Sequence, residues 1–521
     1  MPTPTLAHSF IFIFFSCLVL SCQSPYRILN EPAAINANNT LPIALGQGMM
    51  AGEASDASVI LQARLTRFDT LDQGYLPGQN GWLKFLYQEA GSPITIRSTA
   101  WLAAFPERDH IIKQKIRALK SNQVYEYQAL YGVDTIQYRR SEVHQFKTHP
   151  GAANTVAVRF AVVTGMNYYK FHFGNYDPEK RYKGEDRKLG YPALESMRRL
   201  APDYFIGTGD NVYFDHPAPR GFERARQAGI EPAQGWFEGT WVTDEAGMRR
   251  KYHVQFVQPR FKQLFQQTAT YWEKDDHDYR LNDADPYSDF PITHEMGIKN
   301  FREQLPVTDP TDNNALTYRT FRVSKDLQIW LVEGRDYRNA NEMPDGPNKS
   351  LWGATQKTWL QNTLLASDAT FKILISPTPM VGPDDAYKKD NHVNQKGFRH
   401  EGDAFFNWLE ENDFLEKNFY IVCGDRHWQY HARHPSGFEE FSTGALVDNN
   451  ARAGRLAGDP QSTDPDGLIQ QLYIQGTPES ASGGFLIFRT ERKEDVPQAI
   501  FSFYNEQGQL LYEAVKSAAV E

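Results

Sequence analysis

Four short segments carry side chains that could do chemistry together. Gly209-Asp210-Asn211-Val212-Tyr213-Phe214-Asp215 offers carboxylates and a phenol, and Lys274-Asp275-Asp276-His277-Asp278-Tyr279 adds three carboxylates and an imidazole. Glu333-Gly334-Arg335-Asp336-Tyr337-Arg338 supplies guanidinium groups. Gly424-Asp425-Arg426-His427 ends with carboxylate, guanidinium and imidazole in succession. Carboxylate, phenolate and imidazole are ligands for hard metal ions or for ions of the zinc and iron type. A pair of such ions polarises a phosphoryl oxygen and generates hydroxide at neutral pH. Arginine suits the bidentate clamping of phosphate oxygens. The set therefore reads as metal-assisted phosphoester hydrolysis. A serine hydrolase fits less well, since Gly-x-Ser-x-Gly is absent, and no Walker A or dinucleotide-binding glycine pattern occurs.

Elements that can hold these segments are visible around them. Near-continuous apolar runs predict strands over 156–164, 204–208, 327–332, 371–375 and 419–423. Helical spacing predicts helices over 191–200, 354–366 and 402–411. The alternation implies an α/β (α+β) domain, a sheet with covering helices, its strands buried on both faces. Three of the four reactive segments directly follow a strand, where ligands bind in open α/β sheets. One Gly-Asp turn alone would be an ordinary turn. Three strand ends together with an Asp-Asp-His-Asp cluster call for a joint explanation.

These segments resemble the alkaline phosphatase D family, within the metallophosphatase or calcineurin-like phosphoesterase superfamily. The resemblance rests on the order of the boxes at Gly209, Asp275, Glu333 and Gly424. Two more boxes support it, Gly353-Ala354-Thr355-Gln356-Lys357-Thr358-Trp359-Leu360 and Glu440-Phe441-Ser442-Thr443-Gly444. It implies a metallophosphatase-type αββα sandwich over residues 155–521 and a metal-bound hydroxide attacking phosphorus in line. It also implies metal ligands at Asp210, Tyr213, Asp276, Asp425 and His427, with His277 assisting the leaving group and Arg335 clamping the phosphate. An Arg335–Asp336 ion pair is the alternative for that arginine. The cofactor so implied is one or two ions, Fe3+ and/or Ca2+, with Zn2+ or Mn2+ as other fillings. The family's first box carries a cysteine ligand, and Gly165 stands in its place. Asn167 and His392 are the candidates to supply a missing ligand.

Upstream, residues 41–150 read as short strands between turns, a β-sandwich. The Leu-Lys-Ser-Asn-Gln-Val-Tyr-Glu-Tyr segment from Leu119 resembles a fibronectin type III pattern. Residues 1–22 read as a lipoprotein signal peptide: a short apolar run ends in Val19-Leu20-Ser21-Cys22, which resembles a lipobox with Cys22 as the lipidated residue. Residues 23–40, polar and rich in Asn, Ala and Pro, read as a tether. The expected location is the bacterial cell envelope, periplasmic or at the outer-membrane surface, with a lipid anchor on the membrane and the chain a monomer. Net charge is −9 over 521 residues, which excludes a general nucleic-acid binder, and three cysteines are too few for a disulfide scaffold. Two other readings fit the same residues: a hydrolase of another oxyanion ester (sulfate, phosphonate or phosphotriester), and a non-catalytic envelope binding protein.

Overall fold

The computed structural model describes residues 41–72, 74–92, 96–174, 178–217, 227, 241–312, 314–475 and 481–518. The signal and tether segments, Cys22 among them, lie outside these residues. The described residues form one compact unit.

Two large sheets build the core. In the first, Val158–Val163, Tyr204–Thr208 and Ala269–Glu273 run parallel, and the antiparallel strands Gly484–Lys493, Val496–Asn505 and Leu510–Ser517 extend one side. In the second, Leu327–Leu331, Phe371–Ser376, Phe419–Cys423 and Glu439–Thr443 are parallel neighbours. Arg319–Arg322 pairs at one edge, Gln429–Arg433 and Gln470–Ile474 at the other.

Alternating side chains assign the layers. Phe160, Val162, Tyr204, Ile206 and Tyr271 of the first sheet share a core with Ile329, Leu331, Ile373, Ile375 and Phe441 of the second. The residues between them in sequence, Ala161, Val163, Phe205 and Trp272, point the other way, into helices Pro192–Leu200, Glu245–Phe256 and Pro259–Phe265. On the far side, Trp330, Leu374 and Ile421 pack on Gly353–Leu365 and Arg399–Glu411. The result is helix, sheet, sheet, helix, as expected from strands that are apolar on both faces. Every strand and helix expected for this region is present, with ends shifted by three residues at most.

Residues 41–150 form strands that pack in two sheets. Gly81–Glu89 and Val124–Gly132 centre one of them. The other is not separate: Met49–Gly52, Ser58–Arg64 and Ile111–Arg117 continue the first large sheet through the parallel pair Gly52 and Thr270. Leu61, Phe85, Ile112 and Tyr127 belong to the same core as Phe160 and Ile329. Tyr125 is buried, and its hydroxyl accepts from the Lys120 N–H at 2.8 Å, which closes the turn read around Leu119.

The Glu440 box is a loop anchor. Its buried carboxylate accepts from the N–H groups of Met380, Val381 and Gly382 at 2.6, 3.1 and 3.0 Å and from the Tyr430 hydroxyl at 2.7 Å. It thereby fixes the loop that leaves Phe371–Ser376 and carries Asp384 and Asp390. Where the two sheets meet, Gly424 lies so close to Thr208 that an added Cβ would stand 2.5 Å from the Thr208 hydroxyl oxygen. Only glycine permits that approach, which draws the Asp425 loop against the Asp210 loop.

Candidate metal centre

Asp210 follows Tyr204–Thr208, and Asp425 follows Phe419–Cys423. Both adopt the left-handed conformation, with φ of 54° and 58°. That conformation costs a non-glycine residue on the order of 1 kcal/mol, and such costs gather at functional sites. Asp278 holds the first of these turns. Its carboxylate accepts from the N–H groups of Asp210 and Asn211 at 3.2 Å each, and from Asp275 N–H at 2.8 Å. The Asp275 box and the Asp210 box are thus locked together by one side chain.

Around Asp210 four expected residues converge. Tyr213 donates its hydroxyl to Asp210 Oδ2 at 2.7 Å, and His427 Nε2 lies 3.2 Å from the same oxygen and 3.4 Å from the phenol. Ligand atoms of Asp210, Asp276 and His277 lie within 4.8 Å of one another. The His277 ring packs on Tyr213 with centroids 4.3 Å apart, and its Nδ1 lies 2.7 Å from Asp215 Oδ1. That leaves Nε2 as the nitrogen free to act.

The electrostatics differ across this cluster. Burial, with the Asp276 and Asp278 charges added, pushes Asp210 up to about 8, and its Oδ1 is buried without a hydrogen-bond partner. Burial also disfavours a charge on His277, but the carboxylates of Asp215, Asp276 and Asp210 outweigh it and hold the imidazole well above its ordinary range. His427 goes the other way. Burial, Arg452 and Lys170 keep it well below that range, so it is a neutral imidazole at neutral pH. A neutral histidine, a phenol and an orphaned buried carboxylate are a donor set that fits a cation.

Three expected roles are corrected by placement. Arg335 is fully buried, and all its side-chain nitrogens are engaged: Nε donates to Asp275 Oδ1 at 2.6 Å, Nη1 to the Ala284 carbonyl at 3.0 Å, Nη2 to Asp390 Oδ2 at 3.3 Å. No fork remains to clamp a phosphate. The alternative pair is corrected too, since Asp336 pairs with Lys274 at 2.6 Å rather than with Arg335. Asn167 caps helix Tyr168–Phe173, its Oδ1 accepting from Lys170 N–H at 2.9 Å while its amide faces His216 Nδ1 at 2.9 Å. His392 is buried against Trp352, with Nε2 3.1 Å from Glu401. His392 Nδ1 is buried without a partner, but it is not among the groups gathered with Asp210. Asp425 borders the cluster, its charge met by Arg426 and, at 3.8 Å, by Lys388.

Gly165 has φ of 67°, and a Cβ there would meet Asn450 Nδ2 and Ala445 Cβ at 3.0 Å each. The space beside Tyr213 is filled instead by Asn450, whose Nδ2 donates to the Tyr213 hydroxyl at 2.7 Å and to the Gly165 carbonyl at 3.0 Å. Asp215, Asp278 and Asn450 were not given roles by sequence reasoning. The first two lie inside the recognised boxes, whereas Asn450 lies in a segment with no motif. A second acidic group, Asp276, Asp283 and Asp390, adjoins the first through Asp276.

Two stacked sheets with acidic and imidazole side chains at their joined strand ends define a metal-dependent phosphoester hydrolase. Residues 160–472 match the family model described as PhoD-like phosphatase, and the chain belongs to that family. It is 21% identical over 465 residues to alkaline phosphatase D of Bacillus subtilis (strain 168), covering 82% of this chain and 73% of that protein. A solved structure of PhoD superposes with a TM-score of 0.67 at 17% identity, over 92% of this chain and 90% of that one. Purple acid phosphatase PPD1 from yellow lupin (Lupinus luteus) seeds shares the fold, with a TM-score of 0.58 at 10% identity, over 92% and 74% of the two chains.

The raised Asp210 predicts how metal and pH interact. In metal-free protein its contribution to stability is present below the ordinary carboxylate value and is lost as pH rises to about 8. A bound cation removes that loss. Melting temperatures with chelator and with metal should therefore diverge as pH rises from 5 to 8.5, by at least about 2 °C. A metal-induced shift that shrinks with rising pH contradicts the assignment.

Proposed function

We propose that the Asp210, Tyr213, Asp276 and His427 side chains hold the catalytic metal, with Asp425 at its border, and that His277 is the proton donor to the leaving oxygen. The observation that carries this reading is the convergence of Tyr213 and His427 on Asp210, whose Oδ1 is buried without a hydrogen-bond partner. The bound ion supplies Lewis acidity and lowers the pKa of water. His277 is kept in its donating form by Asp215, which also fixes its orientation, so that Nε2 presents the proton. Tyr213 and Asn450 set the position of the Asp210 carboxylate. No side chain needs to become phosphorylated.

The donor set favours hard ions. Among the described residues it is rich in oxygen and includes no cysteine, and Cys423 is buried 3.6 Å from the Tyr430 hydroxyl, where burial raises its thiol. This supports Ca2+ or Fe3+ as the filling, one ion or two, with Zn2+ and Mn2+ as competitors. The substrates are phosphoric mono- or diesters.

Parallel assays of aryl phosphate mono- and diesters, with elemental analysis of the purified protein, test the reading. Asp210→Asn should lose metal and activity together. His277→Gln should keep its metal and lose about 10²- to 10⁴-fold in kcat. Absence of both bound metal and hydrolysis under every added ion would sink the proposal, as would full activity in His277→Gln.

We also propose that the chain works as a monomer in the bacterial envelope, anchored by lipid on Cys22, a reading supported by the Val19-Leu20-Ser21-Cys22 sequence. Mass spectrometry of the native N-terminus should find a diacylated or triacylated Cys22. An unmodified residue at position 22 would refute the anchor.

A further inference from the structure

With Arg335 committed elsewhere, the phosphate needs another cation. Most buried cations near the cluster are neutralised. Arg335 meets Asp275 and Asp390, Lys274 meets Glu333 and Asp336, and Arg426 meets Asp384 and Asp425. Lys388 meets Asp283 at 2.9 Å. Two cations differ. Lys170 Nζ donates to Asn450 Oδ1 at 2.7 Å, an amide oxygen that carries no charge, and among the described residues it pairs with no carboxylate. Arg452 only shares Asp385, at 3.3 Å, with Arg455, which holds that carboxylate at 2.6 Å. Arg452 Nε is buried without a hydrogen-bond partner.

Both are joined to the metal cluster by short covalent or hydrogen-bonded links. The Arg452 N–H donates to the His427 carbonyl at 2.9 Å, and its guanidinium lies over the Trp428 ring, 5.2 Å from the centroid. Lys170 reaches Tyr213 through one residue, since the Asn450 that it holds donates to the phenol. Arg452 is 38% exposed in its side chain, so it is open to a ligand as Arg335 is not.

We infer that Arg452 and Lys170 are the phosphate-contacting cations of this site, flanking the metal from the His427 and Tyr213 sides. The inference rests on the phosphoesterase reading for its substrate, an oxyanion brought to the metal. Two weakly compensated charges beside a cluster proposed to bind a cation leave room for an anion that meets all three. The planar guanidinium over Trp428 is held rigid, and it offers two parallel N–H groups to phosphate oxygens once the weak Asp385 contact is given up. Lys170 acts as a point charge, steadied by Asn450.

Inorganic phosphate is the probe. Its affinity for the metal-loaded full chain is measured by calorimetry and as competitive inhibition of aryl phosphate hydrolysis, for wild type, Arg452→Ala, Arg452→Lys and Lys170→Met. Metal content and melting temperature are measured alongside. Arg452→Ala should weaken phosphate at least about tenfold and lower kcat/KM about 10²-fold, with metal content and melting temperature held. Arg452→Lys should recover part of the loss, since it keeps the charge and loses the fork. Lys170→Met should weaken phosphate too. Phosphate affinity within about twofold of wild type in both Arg452→Ala and Lys170→Met overturns the inference. Phosphate binding that depends on Arg452 in a protein that hydrolyses no ester would instead refute the hydrolase reading and leave the anion site standing.

Discussion

The site depends on an imbalance of buried charge. Where the two sheets meet, the chain gathers Asp210, Asp215, Asp275, Asp276, Asp278, Asp390 and Asp425 with almost no access to water. Burying a carboxylate without a partner costs several kcal/mol. Most of these acids have one: Arg335 serves Asp275 and Asp390, Arg426 serves Asp425, His277 serves Asp215, and backbone N–H groups serve Asp278. Asp210 has a phenol and a neutral imidazole. Among the described residues no Lys or Arg is paired with Asp210, and its Oδ1 stays unpartnered at the point where three ligand types converge. In the proposed reading a metal ion completes the charge balance, and the surrounding ion pairs hold the geometry that receives it.

The fold serves this arrangement by bringing strand ends of two different sheets to one place. The shared core between the sheets sets their separation. Gly424 against Thr208 sets the contact of the two reactive loops, and Glu440 fixes the loop between them. The N-terminal strands extend the first sheet through Gly52 and Thr270, directly beside the strand that ends in the Asp275 box. A change in the packing of residues 41–150 is therefore felt on the strand that leads into Asp276 and His277.

Much of this is legible in the amino-acid sequence, for physical reasons. Strands apolar on both faces stand out as continuous runs, and each reactive box follows such a run or stands within a dense acidic cluster. Asp210, Tyr213, Asp276, His277 and His427 could be found that way. The direction of a loop side chain could not. Arg335 and Asp336 are neighbours in sequence, yet the turn sends one to Asp275 and the other to Lys274. Asn167 and His392 offer ligand atoms by type, but a helix N-terminus and Glu401 use them. Asn450, Lys170 and Arg452 sit in segments without a motif, and only the tertiary contact with Gly165, Tyr213 and His427 gives them meaning. The helix Glu245–Phe256 is hard to see in the sequence because its buried residues Lys251 to Phe256 run consecutively and include Lys, His and Gln.

Anomalous diffraction at the absorption edge of the bound metal, from crystals of the full chain, tests the central claim most directly. The account predicts a peak bounded by Asp210, Tyr213, Asp276 and His427, with Arg335 still paired to Asp275 behind it. A metal-loaded crystal with no peak beside Asp210, or with the ion held by Asn167 or His392 instead, would contradict it.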